Sequence, residues 1–84
     1  LVGKTPLTEP EMYALLAKNL SYLRKSQGGL SQKAVARFLH LPPKTIMNYE
    51  NCRSTPLAYA VLRLAEYYGC SVEDLLTKNL TERK

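Results

Sequence analysis

Lys44 and Asn48 carry the side chains best suited to reading an ordered polar surface. They stand four apart, so a helix places them one turn above each other on one face. Lys44 can donate to guanine O6 and N7, and Asn48 can form a bidentate pair with adenine N6 and N7. Each such pair contributes roughly 1–3 kcal/mol of base discrimination. Thr45 flanks this face and can reach a phosphate or a thymine methyl, and Pro43 can pack on thymine methyls. Gln32, Lys33 and Arg37 lie upstream, and these side chains suit contacts to DNA, phosphate oxygens among them. An ordinary solvated face is the competing explanation, above all for Lys33 and Arg37, where basic residues often serve solubility alone.

These residues must be held by two short helices and a turn. Val35, Leu39, Leu41, Ile46 and Tyr49 fall where two crossing helices share a core, and Ala36 lets them approach. The pattern is that of a helix-turn-helix, whose second helix enters the major groove. The second helix of the chain is expected over residues 32–39, capped by Ser31, with a turn at His40-Leu41-Pro42. The third is expected to start at Pro43, since proline loses nothing where the first amide has no intrahelical partner, and to end at Glu50 or Asn51.

The flanking segments are also helical. Thr8-Glu9-Pro10-Glu11 is a helix start with a capping box, and Met12, Leu15, Leu16, Leu20 and Leu23 keep helical spacing. This first helix is expected over residues 9–26, ended by Gly28-Gly29. Pro56 is expected to open a fourth helix, capped by Thr55 or Ser54, with Leu57, Val61, Leu64, Ala65 and Tyr68 as its apolar stripe. Gly69 ends it. Ser71-Val72-Glu73-Asp74 caps a fifth helix that brings Val72, Leu75 and Leu76 to the core and ends near Asn79. No segment alternates with period two. The reading is an all-α, compact five-helix bundle: a tail over residues 1–7, one domain over 8–79 and a frayed end over 80–84.

The stretch from Leu15 to Leu76 resembles the Cro/C1-type helix-turn-helix domain, the lambda-repressor-like or xenobiotic-response-element family. The resemblance rests on Gly29-Leu30-Ser31-Gln32, Val35-Ala36, Ile46, Tyr49-Glu50-Asn51, Pro56, Leu62, Leu64-Ala65, Gly69 and the run Ser71 to Leu76. It implies that Gln32 bonds a phosphate and braces the third helix, and that Asn51 and Arg53 grip phosphate. It also implies a structural ion pair between Glu50 and a basic residue near the end of the first helix, with Arg24 the first candidate and Lys25 the second. Three positions depart from the family pattern. His40 stands where glycine is preferred, Pro42-Pro43 replaces polar residues, and Cys52 replaces a common glycine.

Composition sets the outer limits. The 84 residues allow one small core. Twelve Lys and Arg against seven Asp and Glu give a net charge of +5, which favours a polyanionic partner. No run of apolar residues is long enough to cross a membrane, and no signal peptide is visible. Cys52 and Cys70, with a single His, match no metal pattern and read as reduced thiols. No Ser/His/Asp, Cys/His or paired-carboxylate arrangement points to an enzyme, and neither a cofactor nor a small-molecule substrate is implied. Most of the six tyrosines read as core-edge residues rather than base-stacking platforms, and Tyr49 as core.

The expected function is sequence-specific binding to double-stranded DNA by a cytoplasmic, prokaryotic or phage regulator of repressor type, acting as a homodimer on DNA. The alternatives are a protein-interaction module, favoured by Pro42-Pro43, and the antitoxin of a toxin–antitoxin pair. Leu76 and Leu80 are a candidate dimer patch and equally candidates for the core.

Overall fold

The structure, a computed structural model, describes residues 7–81. The tail expected at the N-terminus lies outside the described residues except for Leu7, as do residues 82–84. Five helices follow one another: α1 Glu9–Ser26, α2 Gln32–Phe38, α3 Thr45–Glu50, α4 Ala58–Tyr68 and α5 Val72–Thr77. The chain is all-α among the described residues, and none of its helices is long and apolar enough to cross a membrane.

Helix α1 starts on a complete capping box. The Glu11 amide donates to Thr8 Oγ1 at 3.3 Å, and the Thr8 amide donates to Glu11 Oε1 at 2.8 Å. It packs against α3 and α5, α2 packs against α3, and α4 against α5. The core between them joins Leu16, Leu20 and Leu23 to Val35, Ala36, Leu39, Ile46 and Tyr49, and to Ala60, Val61, Leu64, Ala65, Tyr68 and Leu75. Ala36 is wholly buried, as a close approach of α2 and α3 requires.

Four helices end in the same way. In each, a left-handed residue follows the last turn, and the next amide reaches back to a carbonyl five residues earlier, the Schellman arrangement. Gly29 N–H donates to Arg24 O, Leu41 to Ala36 O, Arg53 to Asn48 O and Cys70 to Ala65 O, at 2.8–3.1 Å. The left-handed residues are Gly28, His40, Cys52 and Gly69. Glycine serves where α1 and α4 end. The two turns that bracket α3 use His40 (φ 58°) and Cys52 (φ 57°), where a Cβ is penalised.

Asn19 is fully buried in the middle of α1. Its Nδ2 donates to the carbonyls of Leu75 (2.9 Å) and Lys78 (2.7 Å), and its Oδ1 accepts from the Leu80 amide (2.9 Å). One side chain thus satisfies three backbone groups at the end of α5, groups that a helix of six residues cannot satisfy internally. Sequence periodicity gave no sign of this, because an Asn inside an amphipathic helix usually faces water.

Several boundaries differ from expectation. Helix α3 begins at Thr45, not Pro43; Lys44 is its N-cap residue and makes no side-chain cap. The Pro42-Pro43 pair remains outside the helix. Helix α4 begins at Ala58, two residues after Pro56, and its N-cap is Leu57, so neither Ser54 nor Thr55 caps it. Leu57 consequently leaves the apolar stripe and is 70% exposed, and Ala60 takes the buried place. Leu39 caps α2 instead of belonging to it, and α5 stops at Thr77. Leu80, expected in a frayed end, packs against the core with its amide held by Asn19, and Leu76 packs against the core as well. Both leucines are half-buried against the core.

Candidate nucleic-acid interface

A polar knot behind α3 fixes the site. Arg24 on α1 donates through Nε to Glu50 Oε2 at 2.8 Å and through Nη2 to Glu50 Oε1 at 3.0 Å. Gln32, first residue of α2, donates through Nε2 to the same Oε1 at 2.8 Å. The Arg24 Nη1 donates to the Leu30 carbonyl at 2.9 Å. Side-chain exposure is 12% for Arg24 and 4% for Glu50, so the pair is largely withdrawn from water. Such a pair holds when its geometry is bidentate and further hydrogen bonds satisfy it, and both conditions are met. The hydrogen bonds that Arg24 donates to Glu50, opposed by partial burial, raise the Arg24 pKa above its ordinary value. The knot joins the end of α3 to α1 and to the start of α2. Lys25 is exposed at the end of α1.

Gln32 is therefore half-buried and already engaged with Glu50. Its amide nitrogen keeps one further N–H. Lys33 and Arg37, one turn apart on α2, face a groove completed by His40, Leu41 and Pro43. Both cations are exposed, as are His40 and Pro43. This groove brings Lys33, Arg37 and Pro43 together, and His40, strained in the turn, adds a third titratable side chain to it.

On the far side of the turn, Lys44 is exposed, while Thr45 and Asn48 are half-buried. The Asn48 amide donates to the Lys44 carbonyl at 2.9 Å, so the two residues occupy successive turns. The Asn48 carbonyl in turn accepts from Arg53 N–H at 2.8 Å. This bond fixes the loop carrying the exposed Asn51 and Arg53 directly to the middle of α3. Cys52 makes that turn, with its Sγ 3.9 Å from the Tyr13 carbonyl. Cys52 and Cys70 are both free thiols; burial, then the charge of Asp74, push the Cys70 thiol up. Tyr49 is buried in the core, and its hydroxyl accepts from the Leu57 amide at 3.4 Å.

Sequence reasoning missed the role of Leu30, whose carbonyl holds Arg24, and of Tyr68. Tyr68 is buried, and its hydroxyl has no hydrogen-bond partner among the described residues. Burial first and the Glu50 charge second push that phenol well above its ordinary range.

The helix-turn-helix family description matches residues 20–75, from the middle of α1 into α5. No curated protein matches the chain. Among solved structures, the chain is similar to the crystal structure of a hypothetical transcription factor, NHTF, from Neisseria. The two share 24% identity at a TM-score of 0.72, over 90% of this chain and 86% of that one. With α2, the His40 turn and α3 inside the matched span, the chain belongs to the Cro/C1-type helix-turn-helix family.

Proposed function

We propose that this protein is a sequence-specific, double-stranded DNA-binding regulator of transcription, with α3 in the major groove. The observation that carries the reading is the Arg24–Glu50–Gln32 knot behind α3. It spends three polar side chains on holding α2 and α3 in one orientation, while Lys44, Thr45 and Asn48 remain toward solvent or half-buried at its outer side. Rigid presentation of a short helix is what major-groove readout requires. Lys44 and Asn48 read bases, with Thr45 and Pro43 at the margin of the contact. Lys33 and Arg37 from their groove, Gln32 through its remaining N–H, and Asn51 and Arg53 from the loop hold phosphates. The mechanism is steric and repressor-like: a two-fold pair of chains covers half-sites about one helical turn apart.

The test is selection from a randomised duplex pool at two salt concentrations, followed by sequencing. Enrichment of a half-palindromic motif is expected, and Asn48→Ala should relax preference at one position of it. Binding that enriches nothing would mean that phosphate contacts act alone, and absence of binding at low salt would sink the reading.

A further inference from the structure

His40 makes the turn between α2 and α3 at φ 58°. Glycine accepts that conformation freely, whereas a side chain with a Cβ is strained by it. Glycine makes the equivalent turns at the ends of α1 and α4. The backbone around His40 is pinned: its N–H donates to Arg37 O at 3.1 Å, and Leu41 N–H donates to Ala36 O at 2.8 Å. The imidazole is exposed and contributes nothing to the core. It lines instead a groove of about 390 Å³ with Lys33, Arg37, Leu41 and Pro43. A strained residue whose side chain does not serve packing points to function.

The groove suits an anion. Lys33 and Arg37 stand four apart on α2, and like charges at this spacing weaken a helix. No carboxylate lines the groove to offset them among the described residues, and Leu41 and Pro43 carry no charge. Lys33, Arg37 and His40 are therefore the charged or titratable groups that face one another there. An arriving phosphate relieves the crowding of cations.

We propose that His40 is a third phosphate-binding residue of this groove, its imidazolium donating to the backbone of the bound duplex beside Lys33 and Arg37. The inference rests on the reading of the protein as a DNA binder. Neutral imidazole has one N–H donor; the imidazolium has two and a positive charge. A phosphate seated against the ring favours its charged form. By linkage, a lower pH must then favour binding, and binding must take up protons from the solvent. Histidine is the side chain that ordinarily changes charge between about pH 5 and 8. His40 is the single histidine of the chain, so such an effect traces to one residue.

The test is the salt dependence of binding to a mixed-sequence duplex of about two helical turns, at about pH 5.5 and about pH 8. Mixed sequence suits it because phosphate contacts carry no sequence information. For the wild type, the slope of log K against log salt should steepen at the lower pH by about 0.9 per chain, the value of one further contact. His40→Gly and His40→Asn retain residues that accept the left-handed turn, and their slopes should be the same at both pH values. At about pH 6.5, wild-type binding should also take up as much as one proton per chain, read by calorimetry in buffers of unequal ionisation heat, and the variants should take up fewer. Equal slope changes and equal proton uptake in wild type and His40→Gly would overturn the proposal. Should His40→Gly lose helix content by circular dichroism, His40→Asn decides by the same criterion. Wild-type binding without an imidazole effect removes His40 alone and leaves the DNA reading standing. A wild type that binds the duplex at neither pH, even at low salt, removes both.

Discussion

Tyr68 is the residue at which the fold carries a visible cost. Its hydroxyl is buried without a partner among the described residues, and an unsatisfied buried hydroxyl costs about 1–3 kcal/mol. Tyr68→Phe removes that group and keeps the ring that packs edge-on against Tyr67 at 4.9 Å. The variant should be more stable at neutral pH by about 1 kcal/mol, read as a higher midpoint in urea. The same burial, reinforced by Glu50, raises the phenol above its ordinary value of 10.0. The unfolded chain therefore releases this proton before the folded chain does. The protection is complete below pH 10, and stability falls as pH rises beyond it, by up to about 1.4 kcal/mol per pH unit. Tyr68→Phe should flatten that alkaline decline. An unchanged slope in a urea series from pH 9 to 11 would show that the hydroxyl is hydrated rather than orphaned. Cys70, also raised by burial, adds a shallower loss that starts above its own ordinary value of 9.0, with the same sign.

At the scale of elements, the end of α5 hangs on one side chain of α1. Asn19→Ala strips partners from the Leu75 and Lys78 carbonyls and from the Leu80 amide. The loss should be about 2–3 kcal/mol, with amide exchange at Leu80 accelerated more than in α2 or α3. Uniform acceleration along the chain would mean that Asn19 supports the core as a whole. Element by element, the sequence was legible wherever a signal is local. The Thr8–Glu11 box, the Ser31 and Ser71 caps and Gly69 are local signals, and the helix ends they mark, the starts of α1, α2 and α5 and the end of α4, fall where expected. The starts of α3 and α4 were not legible, because proline tolerates the first turn of a helix without requiring it. Pro42-Pro43 and Pro56 sit in approaching turns instead, and that shift exposes Leu57. Asn19 escaped because its partners lie 56–61 residues away. The groove of Lys33, Arg37 and His40 was readable only as separate charges, since the Schellman turn at His40 is what gathers them.

The charge of the whole molecule bears on how it binds. Each phosphate neutralised on duplex DNA releases counterion, so log K falls with log salt by about 0.9 per contact. In the proposed docking, the exposed cations Lys33, Arg37 and Arg53 make such contacts, three to a chain. The proposed two-fold pair would then make about six, and the expected slope is near −5, roughly a thousandfold loss between 50 and 200 mM salt. Arg53→Ala should lower the slope by about one per chain and weaken all sequences alike. Asn48→Ala should leave the slope untouched and lose about 1–3 kcal/mol of discrimination at one base pair. The two variants therefore fail in different coordinates of one titration, salt for the first and sequence for the second. If Arg53→Ala left the slope unchanged, the loop after α3 would not touch the backbone. The Arg53–Asn48 bond would then serve only to end the helix. If Asn48→Ala altered the slope and not the preference, α3 would lie along the phosphates and not in the groove. A slope near zero for the wild-type pair would remove the electrostatic basis of binding altogether, and with it the reason for gathering those cations around α2 and α3.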